Sequence, residues 1–456
     1  MRYLDVMPGY SGNSSTLAPS RVTDARTVAA QVLTDLRGGS ILDVAFEERA
    51  RHLDGRDRRW TQELVFGMLR RRAWIDMLLA QCVRGGLARL DPDLSDLLRL
   101  GAYQLLHMGS VPAYAAIAQT VELAKERGGL GASKLANAVL RRLDRERDSL
   151  AVPDQRDPVA GLALKHSHPR WLVARWVARW GAAGTEALLA ANNVEAPLVV
   201  RPWGVVREQL EAMLEAAGVE VAEAPLAPDS ISIRLGGALT ELGAFQQGHL
   251  FVQDPAATMV TRYSAIESGS VVADLCSAPG GKCIELSRDA SAVVAADASL
   301  TRLGRLRESI SRLELANVWP LVADARAPSL RQVDAVLIDV PCTNTGTFRR
   351  HPDARWRLTP STIGMMAATQ RAILRSAATL VRPGGLLIYS TCSLEPEENE
   401  EQVELFVAEH PGWILEPPPQ GAVPESVLDE GFLRVLPQVH GTDGAFAARL
   451  RRRRNA

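Results

Sequence analysis

Lysine is almost missing from this chain: four residues, at positions 125, 134, 165 and 282, stand among 52 basic side chains. Each is kept against a strong arginine bias. Cysteine is also sparse, with Cys82, Cys276, Cys283, Cys342 and Cys392 in 456 residues. That is too few for a disulfide framework. No Cys-x-x-Cys pair and no histidine at zinc-ligand spacing accompanies them, so no metal is expected. No apolar run approaches the roughly 18 residues that cross a bilayer. The first twenty residues, with Gly9, Gly12, Ser14 and Ser15, lack an apolar signal core and read as a disordered leader. These absences predict a cytoplasmic protein with no membrane partner. Net charge is lacking too, at −1, so nothing global points to a polyanion. Only its distribution leans that way. Residues 21–147 carry a slight basic excess, and Arg449 and Arg451 to Arg454 crowd the far end. Such runs are usually solvated surface.

What is present suffices for two or three folding units. The composition, 46% hydrophobic and 23% charged, is that of an ordinary globular protein. Apolar residues recur at helical spacing over 26–36, 63–79, 94–108, 115–127 and 133–145, with breaks at Gly38-Gly39, Gly85-Gly86, Pro112 and Gly128-Gly129. No strand pattern intervenes, so residues 21–150 are predicted to be a helical bundle. Pro153 and Pro158 mark a linker. A helix over 168–181 follows, with Trp171, Trp176 and Trp180; such a stripe could stack bases, but large aromatics at helical spacing more often form core. Residues 197–252 mix short strands (198–201 and 231–235) with one helix (206–217), and the stretch 160–255 is read as a linker helix plus a small α+β unit. From Val271 strands alternate with helices: 271–275, 292–296, 319–323, 335–338 and 386–389, with helices between them, then 433–439 and 445–450 as an antiparallel edge hairpin. The segment 256–456 is thus predicted to be an α/β domain of Rossmann type with seven strands.

The chemistry-bearing residues collect at the ends of those strands. Asp274-Leu-Cys276-Ser277-Ala278-Pro279-Gly280-Gly281-Lys282 follows the first strand and opens a helix. Ligands bind at the carboxyl ends of such strands, where glycine lets backbone approach and helix N–H groups point outward. A Gly-Gly pair alone would be an ordinary turn. Asp297, however, closes the second strand, where a carboxylate can accept ribose hydroxyls, Asp324 is read as closing the third, and Asp339 closes the fourth. Four acids at four successive strand ends favour a nucleotide site. Cys342 follows the fourth strand and Cys392 the fifth, which puts two thiols at one edge of the cleft. A lone cysteine is usually a small buried hydrophobe. Two beside a cofactor suit the methylation of carbon 5 of cytosine, because a thiolate adding at carbon 6 makes carbon 5 nucleophilic. A second acid–base group then serves proton loss and thiol elimination.

At these residues the chain resembles a known family. Asp274–Lys282, Asp339-Val-Pro-Cys342 and Tyr389-Ser-Thr-Cys-Ser-Leu-Glu-Pro-Glu-Glu-Asn-Glu400 are similar to the RNA cytosine-C5 methyltransferases. Glu63-Leu-Val-Phe-Gly-Met-Leu-Arg70, Leu98-Arg-Leu-Gly-Ala-Tyr-Gln-Leu105 and Asn137-Ala-Val-Leu-Arg-Arg142 resemble the NusB-type RNA-binding domain. Together with His166–Leu172, Phe251–Pro255 and His440–Gly444, they point to the RsmB (Sun/Fmu) branch, which modifies 16S ribosomal RNA. The resemblance implies S-adenosyl-L-methionine as cofactor, held by Cys276 to Lys282, Asp297, Asp324 and Asp339. It implies 16S ribosomal RNA as partner, Cys392 as nucleophile and Cys342 as the thiol that assists product release. A monomer is expected. The chain departs from the family at Val340, usually Ala, at Thr343-Asn-Thr-Gly346, usually Ser-Gly-Thr-Gly, and at Arg201-Pro-Trp203, which lacks the usual Asn. A transfer-RNA cytosine-C5 methyltransferase and a non-catalytic NusB-like adapter are the competing readings; the bundle speaks against the first and the full set of thiols and acids against the second.

Overall fold

The computed structural model describes residues 22–151 and 156–454. The expected leader over 1–20 and the linker proline Pro153 lie outside the described residues. The chain divides into two compact units. Most of the helices up to Glu146 form the first; the second takes in the rest, with the short segments Ile41–Asp43 and Leu69–Trp74.

The first unit is all helix: Asp24–Arg37, Leu42–Ala50, Gly55–Arg70, Arg72–Cys82, Pro92–His107 and Ala113–Glu146. Local chemistry sets their starts. Asp91 accepts the N–H groups of Asp93 and Leu94, and Pro92 takes the first helical position, where its missing N–H costs nothing. Two helices were expected on either side of Gly128-Gly129. The structure has one long run that leaves helical geometry at Gly129, where φ is +75°. Leu42–Ala50 escapes sequence reading because nine residues give too few turns for a period to stand out.

In the second unit, Leu198–Pro202 (β1), Glu220–Glu223 (β2), Ile231–Arg234 (β3) and Leu250–Val252 (β4) form an antiparallel sheet in the order β2-β3-β1-β4. Helix Arg207–Ala216 covers it through Leu210 and Leu214. Arg201, buried to 3%, reaches from β1 to Glu285 at 2.6 Å and Asp229 at 2.9 Å. The Trp203 indole donates to the carbonyl of Leu313 at 3.0 Å. The Arg-Pro-Trp departure thus anchors this small sheet to the larger one.

The larger sheet contains Val271–Asp274 (β5), Ala292–Asp297 (β6), Val318–Val322 (β7), Val333–Asp339 (β8), Val381–Thr391 (β9), Trp413–Leu415 (β10), Leu428–Asp429 (β11), Phe432–Val435 (β12) and Ala445–Arg452 (β13). Its order is β11-β12-β13-β9-β8-β5-β6-β7, with β10 pairing to β13. The five strands β5 to β9 are parallel, and β13 joins them antiparallel to β9. Central β8 is buried without a break from Ala335 to Ile338, the continuous apolar run Ala-Val-Leu-Ile, as a strand covered on both faces should be. Edge strand β7 is mostly exposed and tolerates Pro320.

Three expectations need correction. β10 and β11, of three and two residues, extend the sheet beyond the seven strands read from sequence. The strand expected over 433–439 stops at Val435, because Pro437 starts a helical turn through His440. No helix joins β7 to β8 among the described residues; turns and loop do. Of the three tryptophans Trp176 is core, 1% exposed and packed with Leu172, Phe348 and Leu394 in one cluster, while Trp171 and Trp180 pack half-buried against it.

Candidate active site

The cleft lies where β5, β6, β8 and β9 end. Asp274 closes β5 with its side chain 1% exposed, and its Oδ1 accepts the N–H of Cys276 at 3.3 Å. Burial first, and then the neighbouring charge of Asp339, raise its carboxyl to about 7. Lys282, in the first turn of helix Gly281–Leu286, donates to Asp339 Oδ2 at 2.6 Å. Burial pulls the ammonium down, but Asp339 outweighs it and the net shift is upward. Ser390 at the end of β9 donates to the other Asp339 oxygen at 2.7 Å. Asp339 therefore ties the ends of β8 and β9 to the helix that follows β5.

Between Asp274 and Lys282 the loop leaves polar atoms without partners. Asp274 Oδ2, Ser277 Oγ and the nearby Gln253 Nε2 are buried and make no hydrogen bond. Such groups are costly unless something pairs with them. Gly280 has φ +120°, and a Cβ there would lie 2.6 Å from Leu306 Cδ1. Cys276 and Ala278 are half-buried and Pro279 exposed; burial pushes the Cys276 thiol upward. Asp297 is 1% exposed and accepts from Ser299 N at 2.8 Å and from Arg302 at 2.8 Å. Asp324 stands apart. It lies two residues past β7, is exposed, and is held by Arg326 at 2.6 Å, which keeps its carboxyl below the usual range.

The two remaining predicted residues meet. Cys342 Sγ lies 3.2 Å from Cys392 Sγ, as adjacent parallel strands β8 and β9 dictate. The hydrogen bond to Cys392, followed by burial, holds the Cys342 thiol well above its ordinary value. Asn344 Oδ1 is 3.0 Å from Cys392 Sγ and 3.5 Å from Cys342 Sγ.

A buried scaffold, not foreseen from sequence, holds this pair. Glu398 is fully buried and accepts from Thr343 N at 3.0 Å, Ser393 Oγ at 2.7 Å and Gln370 Nε2 at 2.8 Å, as well as from the Thr343 hydroxyl. It thereby joins the residue after Cys342 to the residue after Cys392. Gly346 N donates to Cys392 O at 2.9 Å, and a Cβ at Gly346 would come within 2.6 Å of that oxygen. From outside, Arg175 and Trp176 of helix Arg170–Ala191 bind Glu395, each at 3.0 Å. The run Glu395-Pro-Glu-Glu398 lies within the motif Tyr389–Glu400, but an acidic run carries no signal of burial.

Comparison with known proteins identifies the family. Residues 264–451 match the family described as 16S rRNA methyltransferase RsmB/F, residues 23–145 match the NusB family, and residues 168–239 match the ferredoxin-like domain of RsmF/B-like methyltransferases. The chain is 36% identical over 446 residues to a probable ribosomal RNA small subunit methyltransferase B of Synechocystis, covering 94% of this chain and 99% of that one. It is 34% identical to ribosomal RNA small subunit methyltransferase B of Pseudomonas putida, over 86% of this chain and 89% of the relative. The crystal structure of PH0851 is 28% identical, covers 93% of this chain and 98% of its own, and superposes with a TM-score of 0.80.

Proposed function

Because this chain belongs to the RsmB/F family of 16S rRNA methyltransferases, we propose that it transfers the methyl group to carbon 5 of a cytosine through a covalent Cys392 adduct. The observation that carries the proposal is the pair of thiols 3.2 Å apart at neighbouring strand ends. They stand next to a loop whose buried Asp274 and Ser277 atoms, like the nearby Gln253 amide nitrogen, lack partners.

Those orphaned donors and acceptors, with the Gly280-Gly281 turn, suit S-adenosyl-L-methionine. Asp274, Asp297 and the backbone from Cys276 to Lys282 would hold it, and it would supply an electrophilic methyl carbon. Asp297 is suited to hydroxyl groups because it is an acceptor at a strand end whose partner Arg302 is 62% exposed and can be exchanged for a ligand donor. Asp339 serves by orienting Lys282 and Ser390. Asp324 has the weakest case, since reaching a ligand would mean releasing Arg326.

On the chain's side, the Cys392 thiolate adds to carbon 6 of the cytosine, which makes carbon 5 nucleophilic. Cys342, already hydrogen-bonded to Cys392, is placed to exchange a proton as carbon 5 loses its own and the Cys392–C6 bond breaks. Its raised pKa favours the protonated form that can return a proton to the departing sulfur. The helical unit, through its NusB-family segment, is proposed to bind the 16S RNA.

Two single variants test the assignment. Cys392→Ala should abolish methylation and give no covalent species. Cys342→Ala should still attack but release slowly, and should accumulate a protein–RNA adduct that survives denaturing electrophoresis. An adduct in Cys392→Ala would reverse the roles, and methylation unaffected by either change would reject thiol catalysis.

A further inference from the structure

Asn344 occupies an unusual position. Its φ is +58°, in the left-handed region that asparagine and aspartate enter more readily than other side-chain-bearing residues. The turn is fixed on both sides. Thr347 donates its N–H, at 3.0 Å, and its hydroxyl, at 3.1 Å, to the Asn344 carbonyl. Two residues on, Gly346 is clamped between Cys392 O and the N–H of Gly444, which donates to Gly346 O at 2.7 Å. With its backbone held, the carboxamide has little freedom, and its oxygen faces both sulfurs, at 3.0 and 3.5 Å. One carbonyl oxygen has two lone pairs and can accept from both S–H groups.

We infer that Asn344 is a positioning residue for the thiol pair, a shared acceptor that takes the Cys392 S–H and aims it until substrate replaces the contact. The inference rests on the proposed roles of Cys392 and Cys342. A carbonyl oxygen supports S–H and opposes S⁻. The charged and titratable groups around the pair do not cancel this effect. Lys282, from helix Gly281–Leu286, favours the thiolate, but Asp339 at the end of β8 neutralises it at 2.6 Å. Glu398 beyond β9 opposes a thiolate at Cys342, its oxygens already filled by four donors. Tyr389 within β9 is buried and stays protonated, its pKa raised well above the ordinary value. Cys342 has a single proton to share between the Cys392 sulfur at 3.2 Å and the same oxygen at 3.5 Å.

The test reads the thiols directly, without RNA or methyl donor. Full-length protein is alkylated with iodoacetamide across a pH series, and Cys392 and Cys342 are quantified separately by peptide mass spectrometry. Asn344→Gly removes the acceptor, and the alkylation midpoint of Cys392 should fall, with a rise of about three- to tenfold in rate at neutral pH, the worth of one hydrogen bond. Asn344→Asp keeps the shape and the tolerance for positive φ but sets a carboxylate against the sulfur, so the midpoint should rise. Midpoints moving in opposite directions support the inference. Unchanged midpoints, or a shift in the same direction in both variants, overturn it; greater accessibility alone would raise the plateau rate and leave the midpoint in place. Should Cys392→Ala retain methylation, the nucleophile assignment fails, whereas these midpoints still report on Asn344.

Discussion

Replacing Glu398 should separate the two thiols without touching either. Its carboxylate accepts from Thr343 N, Thr343 Oγ1, Ser393 Oγ and Gln370 Nε2, and the side chain is fully buried. In Glu398→Ala the two hydroxyls can turn toward each other, since they already lie 3.2 Å apart. The Thr343 N–H has no such alternative, and the Gln370 amide keeps only its bond to the Pro341 carbonyl, at 2.9 Å. A buried donor left unpaired costs about 1–3 kcal/mol, so the alanine variant should lose roughly 2–6 kcal/mol. That is a large share of the stability of a typical domain. Glu398→Gln keeps the volume but turns one acceptor into a donor, and should lose about 1–3 kcal/mol while remaining folded. Because Thr343 follows Cys342 and Ser393 follows Cys392, the glutamine variant should also methylate at least about tenfold more slowly, with RNA affinity unchanged; a misplacement of about 1 Å can cost 10²-fold. Urea unfolding and single-turnover methylation measure the two effects. A glutamine variant with parental stability and parental rate would refute the reasoning.

Three further outcomes are expected. Asp297→Ala should weaken S-adenosyl-L-methionine binding about tenfold or more, the worth of a charge-assisted hydrogen bond of about 1.5–3 kcal/mol; unchanged affinity in calorimetry would remove Asp297 from the site. Asp274 has a carboxyl raised from 3.8 to about 7, so the fold retains a proton that the unfolded chain has released, and stability contributed by the protonated form is lost as pH climbs through that interval. Asp274→Asn should therefore raise the urea midpoint little near pH 4 and most at or above about pH 7, and a gain that does not vary with pH would contradict the cause given. Trp176→Phe keeps the core ring but removes the indole N–H that reaches Glu395 at 3.0 Å, and should cost about 1.5–3 kcal/mol; a melting temperature equal to the parent's would mean that Arg175 alone satisfies Glu395.

The alternation of parallel strands with helices, save between β7 and β8, the acids at the ends of β5, β6 and β8 and the adjacency of the two thiols were legible in the sequence. All of them follow from local rules: period, turn chemistry, and the fact that parallel strands present their carboxyl ends on one side. The short strands Trp413–Leu415 and Leu428–Asp429 were not legible, because two or three residues carry no period and pair only once β13 and β12 are in place. Asp324 looked equivalent to its three counterparts, yet the partner it takes is Arg326, two residues away, a choice of rotamer and exposure that spacing does not record. Glu398 and Asn344 show the same limit at the site itself. An acid in an acidic run and an asparagine in a glycine's place carry no sign of burial or aim. Four donors from three segments, converging on one carboxylate, and two sulfurs converging on one amide oxygen, arise only when β8, β9 and helix Pro360–Ala378 pack together. Local sequence decided which groups reach the cleft; packing decided which of them touch.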